Sequence, residues 1–217
     1  MSTIAPPAPA RPPATPVPAS RVPQPADIPT LPIYRLSVEQ YHQMIAAGIL
    51  SPEDRIELLN GFLVPKMPKN PPHRLATRNI RVALERLGLP GCFVDEQEPI
   101  TFAGSEPEPD GQLIRGSPKQ FSDHHPVPTD VLTVVEVSDS SLAYDRGEKQ
   151  RLYAEARIPV YWIVNLVDRQ IEVYTQPTGP ALEPGYAQMK VFGPNDELPV
   201  IIDGLEVGRI AVRDILP

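Results

Sequence analysis

The chain has 217 residues, 41% of them hydrophobic, a net charge of −7 and a single cysteine. That length and apolar content suit one domain with a sizeable core, and a lone Cys92 excludes an internal disulfide and a cysteine-built zinc site. The acidic balance lacks the basic footprint of non-specific nucleic-acid binders, which counts against DNA or RNA as a tightly held partner but leaves room for local patches.

Eleven of the 30 prolines fall in residues 1–32, "MSTIAPPAPARPPATPVPASRVPQPADIPTLP". Large apolar residues are sparse there and show no periodicity, so the segment cannot offset its ordering entropy. It is expected to be a disordered tail ahead of one domain at 33–217. It has no continuous apolar stretch of the signal-peptide kind, and no run of about 18 apolar residues occurs anywhere. The expectation is a cytoplasmic protein with no membrane partner.

"YRLSVEQYHQMIAA", 34–47, reads as a helix with Ser37 as N-cap, Gln40 three residues on, and Gly48 as its stop. In "RIELLNGFLVPKM" the Asn60-Gly61 pair between apolar runs predicts a hairpin of 55–59 with 62–67. Ala76, Ile80, Ala83, Leu84 and Leu87 recur at helical spacing up to Gly88. Residues 92–102 are expected as a strand bent at Pro99, 110–115 as a short strand, and 116–130 as a loop. Val131–Val137 is a strand, and Asp145 to about Arg157 a helix. "IPVYWIVNL" and "QIEVYT" are strands joined by a turn around Asp168, followed by short strands at 187–192 and 198–202. The order gives an α/β or α+β sandwich, one sheet with helices on its faces.

Two charged residues conflict with that pattern. Side chains alternate along a strand, so Glu136 shares a face with Leu132 and Val134. Lys149 precedes Leu152, Tyr153 and Ala156 by three, four and seven residues, which puts it on the apolar stripe of its helix, with Asp145 one turn earlier. A lone charge on an apolar face is costly. The simplest resolution is that the two meet, since the helix leaves the end of the strand that carries the acid. Asp110, in "EPEPDGQL", opens the preceding strand and brings a second carboxylate to the same end. Two hard oxygen donors suit Mg²⁺ or Mn²⁺, and an adjacent lysine can stabilise developing negative charge. Taken singly, the bland alternatives are a turn Asp, a solvent-facing strand Glu and a snorkelling Lys.

"PEPD", "VVEVSDSS" and "YDRGEKQRLYAEARIPVYWIVN" together resemble the Uma-type restriction endonuclease family, a branch of the PD-(D/E)XK nuclease superfamily. The resemblance runs from about Tyr34 to Tyr174 and more weakly beyond. It implies a restriction-endonuclease-like mixed sheet flanked by helices, with DNA as substrate. It also implies a divalent metal held by Asp110 and Glu136. The superfamily's lysine two residues after the Glu is replaced here by Ser138, and the resemblance relocates that function to Lys149. It also covers Glu57 in the hairpin and His73 at a helix start, the latter as a supporting or phosphate-orienting group. Many superfamily members act as dimers, so a homodimer through the C-terminal strands fits the same resemblance.

Arg74, Arg78 and Arg81 form one stripe, either an exposed charged face or a set of phosphate contacts. The adjacent His124 and His125 lack spaced partners for a metal and read as loop residues. Three functions compete: a Mg²⁺-dependent endonuclease; a catalytically silent nuclease-fold binding or assembly module, which the acidic balance and Pro-rich tail would suit; and, with weaker support, hydrolysis of another phosphoester by the same metal chemistry. The absence of a Walker-type phosphate loop disfavours an NTPase.

Overall fold

Ser37 caps the first helix as its sequence implies. In the computed structural model, which describes residues 32–217, its hydroxyl accepts from the Gln40 N–H at 3.1 Å and the Gln40 amide oxygen accepts from the Ser37 N–H at 2.9 Å. This reciprocal cap starts α1, Val38–Ala46. All packing described below belongs to the body Arg35–Pro217. The segment expected as a tail lies, up to residue 31, outside the described residues.

The hairpin forms as the turn chemistry requires. β1, Ile56–Leu59, pairs antiparallel with β2, Phe62–Pro65, and both turn residues have positive φ, 50° at Asn60 and 79° at Gly61. A Cβ on Gly61 would lie 2.5 Å from the Arg35 Cβ and 3.0 Å from the Leu36 carbonyl oxygen. Gly61→Ala is therefore expected to destabilise the protein by about 1–3 kcal/mol, combining strain and overlap. Urea unfolding checks this.

α2, Pro71–Arg86, is capped by Asn70, whose side-chain oxygen accepts from the His73 N–H at 3.0 Å. Its buried stripe, Ala76, Thr77, Ile80, Ala83 and Leu84, lies against one sheet face. The sheet has six strands in the order β3-β4-β5-β6-β7-β8. These are Cys92–Asp95, Gly111–Arg115, Val131–Ser138, Val160–Asn165, Gln170–Pro177 and Tyr186–Phe192. β5 and β6 are parallel and the other neighbours antiparallel. Their crossover holds α3, Leu142–Tyr144, a π-helical turn, Asp145–Lys149, and α4, Gln150–Glu155. β9, Glu197–Ile202, and β10, Leu205–Ala211, pair with each other and lead into α5, Val212–Ile215. No helix of the described residues is long and apolar enough to cross a membrane.

Every residue of β5 and β6 is buried, because both faces are covered. Val135, Val137, Trp162 and Val164 join the core under α2, α5 and the β9–β10 hairpin. Val134, Tyr161 and Ile163 point to the opposite core, with Leu152, Tyr153, Ile158 and Ile100. Glu136 falls in the second set by alternation.

Two expectations need correction. The strand expected over 92–102 stops at Asp95. Prolines 99, 107 and 109 cannot donate to a ladder. The chain from 96 to 110 instead folds on itself, with Ile100 N–H to Pro107 O at 3.0 Å and Phe102 N–H to Ser105 O at 2.8 Å. The helix expected from Asp145 starts earlier, at Leu142, and its first full turn is wider than an α-helix.

Candidate active site

Glu57, His73, Asp110, Glu136 and Lys149, picked out in the sequence, all line one open cleft of about 300 Å³. Three layers deliver them. β1 supplies Glu57, the first turn of α2 supplies His73, and the sheet with its crossover supplies the rest.

Gly111 pairs with Val135, so Asp110, one step before β4, is level with Glu136 on β5. The Val137 N–H donates to Asp110 Oδ2 at 2.9 Å and fastens the acid across the gap. His73 Nε2 lies 3.1 Å from the same oxygen, and Lys69 Nζ lies 3.2 Å from Oδ1. Burial pushes the Asp110 carboxyl up, but His73, Lys69 and the Val137 N–H outweigh it, and the net shift is downward.

Lys149 reaches inward from the π-helical turn. Its ammonium is 2.8 Å from Glu57 Oε2 and 3.5 Å from Glu136 Oε1, and all three side chains are under 10% exposed. Burial works against the ammonium, yet Glu136 and Glu57 more than compensate, so Lys149 is held protonated. π-turns recur at functional sites because the extra residue re-aims side chains; here both Asp145 and Lys149 are buried on the side facing the sheet.

Glu136 is the most perturbed acid. Burial raises its pKa to about 8, against the opposing pull of Lys149 and of the Tyr153 hydroxyl, with Asp110 and Asp145 adding to the rise. The Tyr153 hydroxyl donates to Oε1 at 2.6 Å. Oε2 has no hydrogen-bonding partner among the described residues. Asp145, also pushed up by burial, accepts from the Ser138 and Ser141 hydroxyls, each at 2.6 Å. Ser138, at the position of the superfamily's lysine, thus holds Asp145.

A family model described as "Putative restriction endonuclease" (Uma2) matches residues 38–213. The chain belongs to this family. The match spans every cleft residue named above. Among solved structures, a "putative nuclease belonging to DUF820" from Anabaena variabilis superposes with a TM-score of 0.57 at 12% identity, covering 83% of this chain and 97% of that one. At that identity the likeness is one of fold: a mixed sheet flanked by helices, as in that nuclease. No curated protein matches the chain.

Several cleft groups of this Uma2 chain escaped sequence reasoning. Lys69, on Asp110, sits between a hairpin and a helix cap, where no periodicity assigns a face. Glu108 lines the cleft and pairs with Lys66, while its backbone N–H donates to Glu57 Oε2 at 3.1 Å. Tyr153 looked purely apolar, yet its hydroxyl serves Glu136.

Proposed function

We propose that the cleft binds Mg²⁺ or Mn²⁺ through Asp110 and Glu136 and hydrolyses phosphodiester bonds of DNA. One observation carries this: a buried ammonium inserted between two acids, beside a third acid that the sheet fixes level with one of them. The donor set fits a hard divalent ion. It consists of anionic oxygens, Glu136 Oε2 is unpartnered, and the Asp110 Oδ1 partner, Lys69, is a flexible amine with 26% of its side chain exposed. A divalent ion held there supplies charge neutralisation at a phosphate and a water of lowered pKa.

The remaining work falls to the chain. Lys149, aimed by Glu57, presents fixed positive charge to a phosphoryl oxygen as charge develops. Tyr153 holds Oε1 of Glu136 and leaves Oε2 for binding. His73 and the Val137 N–H keep Asp110 ionised and oriented. Arg74 and Arg78 are exposed on α2 and line a groove that meets the cleft at Gln97, a path suited to a polyanion despite the acidic total charge. With this reading go a cytoplasmic location and a homodimer through the C-terminal strands. The direct test is plasmid DNA with Mg²⁺ or Mn²⁺: cleavage by the wild type should stop on chelation.

A second reading, a silent binding module, has one observation in its favour. Asp110 already has Lys69 and His73 as partners, and Lys149 has Glu57 and Glu136, so each charged group of the cluster is answered as it stands. Calorimetry separates the two. The nuclease reading expects Mn²⁺ binding that is lost in Asp110→Asn. Glu136 must shed its proton to ligate, so affinity should rise by up to tenfold per pH unit below about 8 and level off above it. No Mn²⁺ binding by the wild type, or full affinity in Asp110→Asn, favours the module.

A further inference from the structure

A second group of ligating side chains lies outside the cleft. His42 on α1, Glu106 in the folded 96–110 segment and His125 in the loop before β5 each offer a ligand atom, all within 4.8 Å of one another. His42 Nε2 is 2.8 Å from both oxygens of Glu106, whose side chain is 3% exposed. The His42 and His125 rings stand 6.3 Å apart. The site is braced from behind. The Thr101 hydroxyl donates to Glu106 Oε2 at 2.8 Å, and the Thr101 N–H donates to the Pro126 carbonyl at 2.9 Å, next to His125. Among the described residues His125 has no hydrogen-bonding partner. A carboxylate needing only a structural partner would be satisfied by His42 and Thr101. The unpaired second imidazole is the feature that such a role leaves unexplained.

We propose that His42, Glu106 and His125 form a binding site for a borderline-soft divalent ion of the Zn²⁺ class. Two imidazoles and one carboxylate are a recurrent three-ligand zinc set with an open fourth position, and nitrogen donors select against Mg²⁺ and Ca²⁺. Metal–ligand bonds of about 2.0–2.1 Å in tetrahedral geometry put ligand atoms roughly 3.3 Å apart. Small rotations of two accessible histidines reach that spacing from the present one. Thr101 supplies the outer hydrogen bond that orients the carboxylate. The three ligands come from separate parts of the chain, so the ion ties α1 and the 122–127 loop to the 106–110 run. That run continues through Glu108, which lines both clefts, to Asp110.

The test uses the full chain, stripped of metal and titrated with Co²⁺ in excess Mg²⁺. Magnesium occupies oxygen-only sites, so strong visible d–d absorption reports a nitrogen-containing, low-coordinate one. One Co²⁺ per chain is expected, displaced by Zn²⁺, with Zn²⁺ also raising Tm. His125→Ala, a loop substitution that spares the core, should weaken Co²⁺ binding at least about 100-fold, beyond the loss typical of a missing supporting group. His42→Ala should do the same. Glu136→Gln should leave the bands intact, which separates this site from the proposed nuclease centre. No saturable band in the wild type, or bands that persist in both histidine variants, overturns the proposal.

Discussion

Glu136→Gln is expected to lower metal-dependent DNA cleavage by about 10³-fold or more and to flatten the pH dependence of stability. The first effect follows from removing an anionic metal ligand while keeping its shape, because metal-held charge stabilisation contributes several kcal/mol. The second follows from the environment of the carboxyl. Its pKa rises on folding from the ordinary 4.5 to about 8, so the folded protein keeps a proton that the unfolded chain releases. That contribution is fully present below about 4.5 and is lost as pH climbs through 8. At about 1.4 kcal/mol per unit, the wild type should lose on the order of 4–5 kcal/mol across this window relative to the Gln variant. Paired urea titrations at pH 5 and pH 9, with plasmid cleavage in Mn²⁺, measure both. Retained cleavage would remove Glu136 from the chemistry, and parallel stability curves would show that it is not protonated in the fold.

Lys149→Met should cost about 3–5 kcal/mol of stability, because it leaves the buried Glu57 without its cation, while Glu136 beside it already holds a proton below about 8. Cleavage should fall about 10²–10³-fold, the typical loss of one preorganised charge at a reacting group. The two effects are separable. Adding Glu57→Gln removes the stranded carboxylate and should recover about 1–2 kcal/mol without restoring cleavage. If the double variant regains cleavage along with stability, Lys149 acts only as a structural cation within a working nuclease.

Local signals carried much of this architecture. The Ser37–Gln40 cap and the Asn60-Gly61 turn are set by residues within hydrogen-bonding reach along the chain, and both form where expected. Glu136 and Lys149 were conspicuous because each breaks an apolar periodicity, and a buried charge must be answered by another group. Lys69 broke no pattern. It lies where the chain is neither strand nor helix, and only the folded geometry places it on Asp110. The strand expected over 92–102 ends at Asp95: apolar residues such as Ile100 and Phe102 mimic a strand, while their hydrogen bonds close within the 96–110 segment. His125 has no suitably spaced metal-ligating partner in the sequence. Its neighbours stand at 42 and 106, separations that no local motif encodes.

The acids and cations of the cleft are drawn from positions 55 to 149. A nascent polypeptide exposes Glu57 and His73 long before Lys149 is synthesised, and until β5 has docked on β4 Asp110 lacks the Val137 N–H that fastens it. On the proposed nuclease reading, a centre dispersed in this way is latent in the growing chain until Lys149 has joined the acids.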